Sequence, residues 1–484
     1  MSWRPCVGLE VHAQLRTDSK MFCSCSSDFG GEPNSRCCPV CLGLPGSLPM
    51  PNRQAIEYVI KTGLALNCQV AERCRFARKN YFYPDLPKNY QISQYDEPLT
   101  HGGYMDLDVD GTTVHIRVRR AHLEEDTGKN IHLPDGRSVV DYNRCGVPLM
   151  EVVTEPDFTT AEEVRVYLTT LRQVLRYLAV SDADMEKGQM RCEPTVNLIN
   201  DETGQRTPKV EIKNLNSIRS VFEAVEFELD RQRDAIETGE QMWQETRRWD
   251  ENHGVTATMR RKETADDYMY FPDPDLVPLA PSREWVERVR KELPELPAER
   301  RHRFMEEYAL PLYDATVLTE EQTVAEYFEA VAHVSGDPKA SSNWVMGEVL
   351  RHLKERRGGP EGSPGVGIAD FPLPPGYVAE LIALVNEGLI SSTIAKDVFA
   401  RSCEDRRTPR EIVEQDGLAQ ISDTGELERI VDEAIAANPK AVEDFRGGAE
   451  KALGAMVGYI MRATQGKANP QKINDLLRSR LTQE

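Results

Sequence analysis

Between residues 5 and about 20 the apolar positions Leu9, Val11, Ala13 and Leu15 alternate with polar ones, the period of a β-strand. Glu10 and His12 therefore share the opposite face, a pattern that also suits a half-exposed strand with two polar residues turned to water. A helical period takes over at residues 53–67, where Ala55, Val59, Ile60 and Leu64 form one stripe. Alternation returns from Met105 to Val118, read as a hairpin turning at Asp110-Gly111, with Val114, Ile116 and Val118 on its second strand. Thr160-Ala-Glu-Glu163 has the form of a capping box, and Val164, Leu168, Leu171, Val174, Leu175 and Leu178 line the helix it starts. Strand-like segments follow near 190–198 and 208–212, then a long helix from Ser217 to about Thr238. Strands interleaved irregularly with helices predict an α+β fold, with a largely antiparallel sheet forming a cradle domain over residues 1–290. From about Arg288 only helices separated by Pro and Gly breaks are expected, one break running from Arg357 to Pro364. They are read as a helical domain over 291–405 and a helical tail over 406–484.

One stretch departs from simple amphipathicity. It opens with His122-Leu-Glu-Glu-Asp126 and closes with Asp141 to Pro156, where Glu151 stands between Met150 and Val152. A carboxylate among apolar, β-branched neighbours is costly to bury unless a cation, a hydrogen-bond network or a proton neutralises it. That cost marks the stretch as a candidate for chemistry.

Composition narrows the class. The 484 residues are 40% hydrophobic and 29% charged, and no apolar run approaches the roughly 20 residues that span a bilayer. With no signal-like segment after Met1, a cytoplasmic location is the expectation. A net charge of −20 argues against an extensive nucleic-acid footprint, although Arg446 to Glu484 carries seven bases and three acids. That local excess fits either a contact with a polyanion or a solvated helical face. Eleven cysteines in such a chain suggest metal ligands or buried thiols rather than disulfides. Cys23, Cys25, Cys38 and Cys41 form two close pairs across a Gly-, Pro- and Asn-rich loop, the spacing of a structural zinc knuckle over residues 23–41. Cys37 is a competing ligand, but Cys38 has the better spacing to Cys41. The segment Arg78 to Gln91 mixes aromatics, lysines and prolines without a period, as a recognition loop or a well-packed irregular loop would.

Neither a Walker A pattern nor a Gly-x-Ser-x-Gly elbow occurs. What the chain offers is an acid-plus-histidine set, Glu10, His12, Glu125 and Glu151, whose oxygen-rich chemistry suits Mg²⁺ or Mn²⁺. The block Asp141-x-Asn-Arg-x-Gly-x-Pro-Leu-x-Glu151-Val-Val-Thr-x-Pro156 resembles the signature of the B subunits of aspartyl/glutamyl-tRNA amidotransferases. Gly8-Leu-Glu-Val-His12, the cysteine quartet, Arg78 to Pro84 and Tyr90 to Gln94 extend the resemblance. So do Lys213 to Ser217, Gln244 to Arg248, Asp267 to Pro272, Asn343 to Gly347 and Gly466 to Gln471, so that it spans nearly the whole chain.

The resemblance implies a ligase that uses ATP to phosphorylate the side-chain carboxylate of Glu or Asp mis-acylated to tRNA(Gln) or tRNA(Asn), after which ammonia displaces phosphate. It implies that Glu10, His12, Glu125 and Glu151 line a magnesium and phosphoryl-transfer pocket, with Lys79 as a phosphate contact. It further implies a heterotrimer in which a glutaminase (GatA) supplies the ammonia and a small third protein (GatC) clasps the other two, and a tail that meets the tRNA elbow. Lys187 and Glu193-Pro194 depart from the family pattern, which more often has an acid and Asp-Ala there. No inserted synthetase-like domain of the archaeal E-type relatives is evident, which sides the chain with the B-type proteins.

Overall fold

A computed structural model of the chain describes residues 3–261, 269–357, 367–419, 424–464, 468 and 470–482. Asp267 and Tyr268, Gly466 and Asn469, and residues 358–364 of the expected break lie outside these residues. The chain divides into two compact units, Met1–Pro297 and Ala298–Glu484.

The first unit contains strands β1 (Trp3–Gln14), β2 (Gln69–Val70), β3 (Ala77–Asn80), β4 (Tyr90–Ser93), β5 (Thr100–Val109), β6 (Thr112–Glu125) and β7 (Lys129–His132). It continues with β8 (Ser138–Asp141), β9 (Pro148–Thr154), β10 (Met190–Asn200), β11 (Val210–Lys213), β12 (Glu245–Asp250), β13 (Val255–Arg261) and β14 (Met269–Pro272). Nine strands form one sheet in the order β13-β12-β11-β10-β1-β9-β6-β5-β2. Every pairing in it is antiparallel except β11 with β12, so the fold is α+β as its pattern predicts. A smaller sheet, β14-β3-β4, claims both ends of the segment expected to be an irregular loop. Backbone pairing of these short strands overrides their lack of a hydrophobic period.

Helices α1 (Arg53–Ala65), α2 (Ala161–Tyr177) and α3 (Ile218–Thr238) start where side chains satisfy free backbone N–H groups. Asn52 accepts from Gln54 and Ala55, Thr160 and Glu163 close the expected capping box, and Ser217 accepts from Ser220. Their apolar stripes join one face of the large sheet in a single core, including Leu9, Val11, Ala121, Leu123, Met150 and Val152. The hairpin turns at Asp110 and Gly111, both at positive φ (51° and 80°), which the type I′ turn requires. The other face of the large sheet keeps the polar residues.

One irregularity decides which residues those are. Along β6, Ile116 and Val118 point into the core, but so do Ala121 and Leu123. A bulge between Val118 and Arg120 shifts the register against β9 and switches the alternation by one residue. Arg119 and Arg120 therefore both leave the core face, and His122 and Glu124 follow on the polar face.

Helix α4 (Arg283–Lys291) closes the first unit, and the second is helical. It comprises α5 (Pro297–Glu307), α6 (Leu312–Leu318), α7 (Gln322–Ser335), α8 (Pro338–Trp344), α9 (Leu350–Arg357), α10 (Pro375–Asn386), α11 (Ser392–Asp405) and α12 (Pro409–Gln415). Phe304 to Val413 supply one apolar cluster, in which Ile412 and Val413 of α12 join residues of α7, α10 and α11. Helices α13 (Thr424–Ala437), α14 (Pro439–Arg446), α15 (Leu453–Ala463) and α16 (Pro470–Thr482) follow, with a separate cluster from Leu427 to Leu481. Among the described residues no helix is long and apolar enough to cross a membrane.

Candidate active site and cysteine cluster

Strand register builds the site. His12 on β1 lies opposite Glu151 on β9, which in turn lies opposite His122 on β6. Three adjacent strands thus set an imidazole, a carboxylate and a second imidazole in one row. Glu124, two residues further along β6, joins them from the same face. His12 Nε2 is 3.5 Å from Glu151 and 3.6 Å from Glu124, and His122 Nε2 is 3.4 Å and 3.6 Å from the same two acids. One ligand atom each from His12, Glu124 and Glu151 falls within 4.8 Å of the others, a set that could hold a metal ion.

The smaller sheet supplies a facing row. Tyr270, Lys79 and Gln91 are cross-strand neighbours on β14, β3 and β4. Gln91 Nε2 donates to Glu124 Oε2 at 3.3 Å and Ser93 Oγ donates to Glu124 Oε1 at 2.7 Å, which fixes the carboxylate's orientation. Burial alone would raise the pKa of Glu124, but the charge of Lys79 and the two histidines hold it well below the usual carboxylate range. Burial and the Glu124 charge likewise oppose ionisation of Glu151, and His122 and His12 outweigh them. His12 feels the converse. Its burial disfavours a charge, yet Glu151 and Glu124 push its pKa up to about 10.

The expected residues do not all meet. His12 and Glu151 do, and Lys79 lies close enough to act on Glu124. Glu10 is two residues earlier on β1 on the same face, opposite Glu193, exposed and outside the tight group. Dehydration against the sheet, then the Glu151 charge, raise its pKa to about 7. Glu125 does not join the cluster. It is turned away to an ion pair with the buried Lys88 and accepts the Ile92 N–H at 2.9 Å, because the bulge has moved its neighbour Glu124 onto the site face. An unbroken count from Val114 would have put Glu125 there instead.

The cysteine quartet converges as its spacing implies. The Sγ atoms of Cys23, Cys25, Cys38 and Cys41 all lie within 4.8 Å of one another, and Cys37 is not among the converging four. Cys41 accepts the Cys38 N–H at 3.1 Å, and its thiol is drawn down to about 4 by hydrogen bonds from Cys23 and Cys38 and by Lys20. This loop braces the Asp141–Pro156 stretch. Asn143 accepts from Arg36 at 2.9 Å, Asp141 accepts from Asn34 at 3.0 Å, and Met21 donates to the Gly146 carbonyl at 2.7 Å.

The sequence matches the GatB/GatE catalytic domain over residues 5–287 and a GatB domain over residues 326–481. The chain belongs to the GatB/GatE family. The B subunit of the aspartyl/glutamyl-tRNA(Asn/Gln) amidotransferase of Moorella thermoacetica is 51% identical over 484 residues, covering 99% of this chain and 100% of that one. The B subunits of Thermodesulfovibrio yellowstonii and Carboxydothermus hydrogenoformans are each 50% identical, over 477 residues (99% of both chains) and 479 residues (98% of both). In this GatB/GatE chain the residues that motif reading left out are His122 and Glu124. Their signal was an i, i+2 pair around the apolar Leu123, visible only to a reader who places the bulge first.

Proposed function

We propose that this chain is the amidating component of a glutamine-dependent tRNA amidotransferase. It takes Glu-tRNA(Gln) or Asp-tRNA(Asn), activates the side-chain carboxylate with ATP and converts it to the amide with ammonia from a glutaminase partner of the GatA type. A small GatC-type protein completes the heterotrimer, and the tail helices contact tRNA. The observation that carries the reading is the convergence of His12, Glu124 and Glu151 from three adjacent strands onto the polar face of the sheet.

That donor set fits a divalent cation. One imidazole nitrogen and two carboxylates fixed by Ser93, Gln91 and the second histidine suit a hard ion such as Mg²⁺. When bound there, it supplies charge neutralisation for phosphoryl oxygens. The residues do the rest. Lys79 brings a positive charge to the carboxylate row, where transferred oxygens would gather. The core behind β1, β9 and β6 keeps water from the rear of the site, and Glu10 borders it on the side of β10. The Cys23, Cys25, Cys38 and Cys41 set fits zinc, since four thiolates about 2.3 Å from a tetrahedral centre stand about 3.8 Å apart. Cys38 and Cys41 are 3.9 Å apart. A closed four-sulfur site leaves no open position, so its role is structural.

The test is Glu124→Gln in the assembled enzyme. ATP-dependent activation of Glu-tRNA should fall more than about a hundredfold, with tRNA affinity held within a few-fold. Equal loss of binding and activity would instead assign the chain a scaffold role.

A further inference from the structure

The bulge in β6 presents two consecutive arginines to the polar face, and their circumstances differ. Arg119 is engaged by Glu155 through two hydrogen bonds of 2.9 and 2.8 Å. Arg120 is half-buried and makes no ion pair among the described residues. Its Nη1 donates to the Tyr95 carbonyl at 3.0 Å, while its Nε is buried with no hydrogen-bond partner. The guanidinium lies 5.8 Å from the centre of the Tyr95 ring, which stacks on Tyr270 at 4.1 Å.

These contacts tie Arg120 to the site. Tyr270 is the cross-strand neighbour of Lys79. Burial raises its phenol to about 12, with Lys79, Glu124, Glu151 and Arg120 all acting on it, so the phenol stands within electrostatic reach of all four groups. On the sheet, Arg120 lies opposite Val153, and Glu10 lies opposite Val153 from the other side. Arg120 therefore flanks the carboxylate row with its Nε donor unspent. A guanidinium so placed is a bidentate receptor for a planar or tetrahedral oxyanion.

We propose that Arg120 is a substrate-binding residue, receiving an oxyanion of the reaction, either nucleotide phosphate or the side-chain carboxylate of the aminoacyl group. The inference rests on the amidotransferase reading. The bulge has a purpose on this view: it turns one cation onto the site that regular alternation would have lost to the core. Tyr95, held by Tyr270, stiffens the guanidinium.

The experiment compares Arg120→Gln, Arg120→Lys and the control Arg119→Gln in the full heterotrimer, measuring KM for ATP and for Glu-tRNA(Gln) separately. Arg120→Gln should raise one of the two KM values about ten- to a hundredfold, with Arg120→Lys recovering part of the loss and Arg119→Gln leaving both within twofold. A rise confined to ATP identifies phosphate. A rise confined to Glu-tRNA, with affinity for uncharged tRNA unchanged, identifies the carboxylate. Unchanged KM values in Arg120→Gln, or an equal effect from Arg119→Gln, overturn the proposal, as does loss of kcat alone. If Arg120→Gln melts early, the Arg120→Lys and Arg119→Gln pair decides by the same criterion. An inactive wild-type heterotrimer would count against the amidotransferase reading itself and not against Arg120 in particular.

Discussion

Glu124 and Glu125 are adjacent in the chain, face opposite sides of the sheet and answer to different cations. Glu124 is held ionised by Lys79, His12 and His122, so Glu124→Gln gives up net attraction and should destabilise the metal-free protein. Glu125 is the counter-ion of Lys88, whose side chain is only 7% exposed. Glu125→Gln leaves that ammonium buried without its charge partner and should destabilise by about 3 kcal/mol. Thermal melting of the two variants, both expected below wild type, checks the assignment. A second residue prediction concerns acid. Asp314 is buried and accepts from Lys339 at 2.6 Å and Ser342 at 2.8 Å. Burial opposes its ionisation, but these partners prevail and lower its pKa from 3.8. Its stabilisation is therefore complete above pH 3.8 and disappears as pH falls through the lower folded value. Asp314→Asn should cost about 1–2 kcal/mol at pH 7, and denaturant titrations should show the gap to wild type closing below pH 4.

Elements carry what single residues do not reveal. The strand at Glu10 and His12, the hairpin turn at Asp110-Gly111 and the capping box at Thr160 were legible because each rests on local rules of alternation, φ or backbone donors. The cysteine quartet was legible because a tight pair spacing has few other uses. The partners of His12 were only half legible. Glu151 announced itself by its apolar neighbours, whereas Glu124 depended on a phase shift in β6 that comes from pairing with β9, a non-local cause. Pairing rather than period likewise hid β3 and β4, which bond to each other across the intervening loop while β3 also takes β14 on its other edge. The cysteine loop makes an element-scale prediction. Since it braces Asp141–Pro156, metal analysis should find about one zinc per chain, as expected for a four-cysteine site. Cys38→Ser should lose that zinc and increase hydrogen exchange at Asp141–Val147 as well as in the loop itself. Unchanged exchange there would show that the brace holds without metal.

At the scale of the molecule, the two units have their own apolar cores, and the proposed metal sites both fall in the first. Scanning calorimetry should resolve at least two transitions, and removal of metal should lower the one belonging to residues 1–297 while leaving the other in place. The bulge in β6 has a consequence of another kind. It makes the strand behave like a reading frame, in which residue count matters more than residue identity. Substituting Arg119 should be tolerated. Deleting it removes only the extra residue, so the unbroken alternation that results would keep Ala121 and Leu123 in the core and His122 and Glu124 on the polar face. Losing a codon between the bulge and His122, that of Ala121 for example, would instead carry His122 and Glu124 toward the core and Leu123 toward solvent, so this stretch is open to spelling throughout and closed to length everywhere but at the bulge itself.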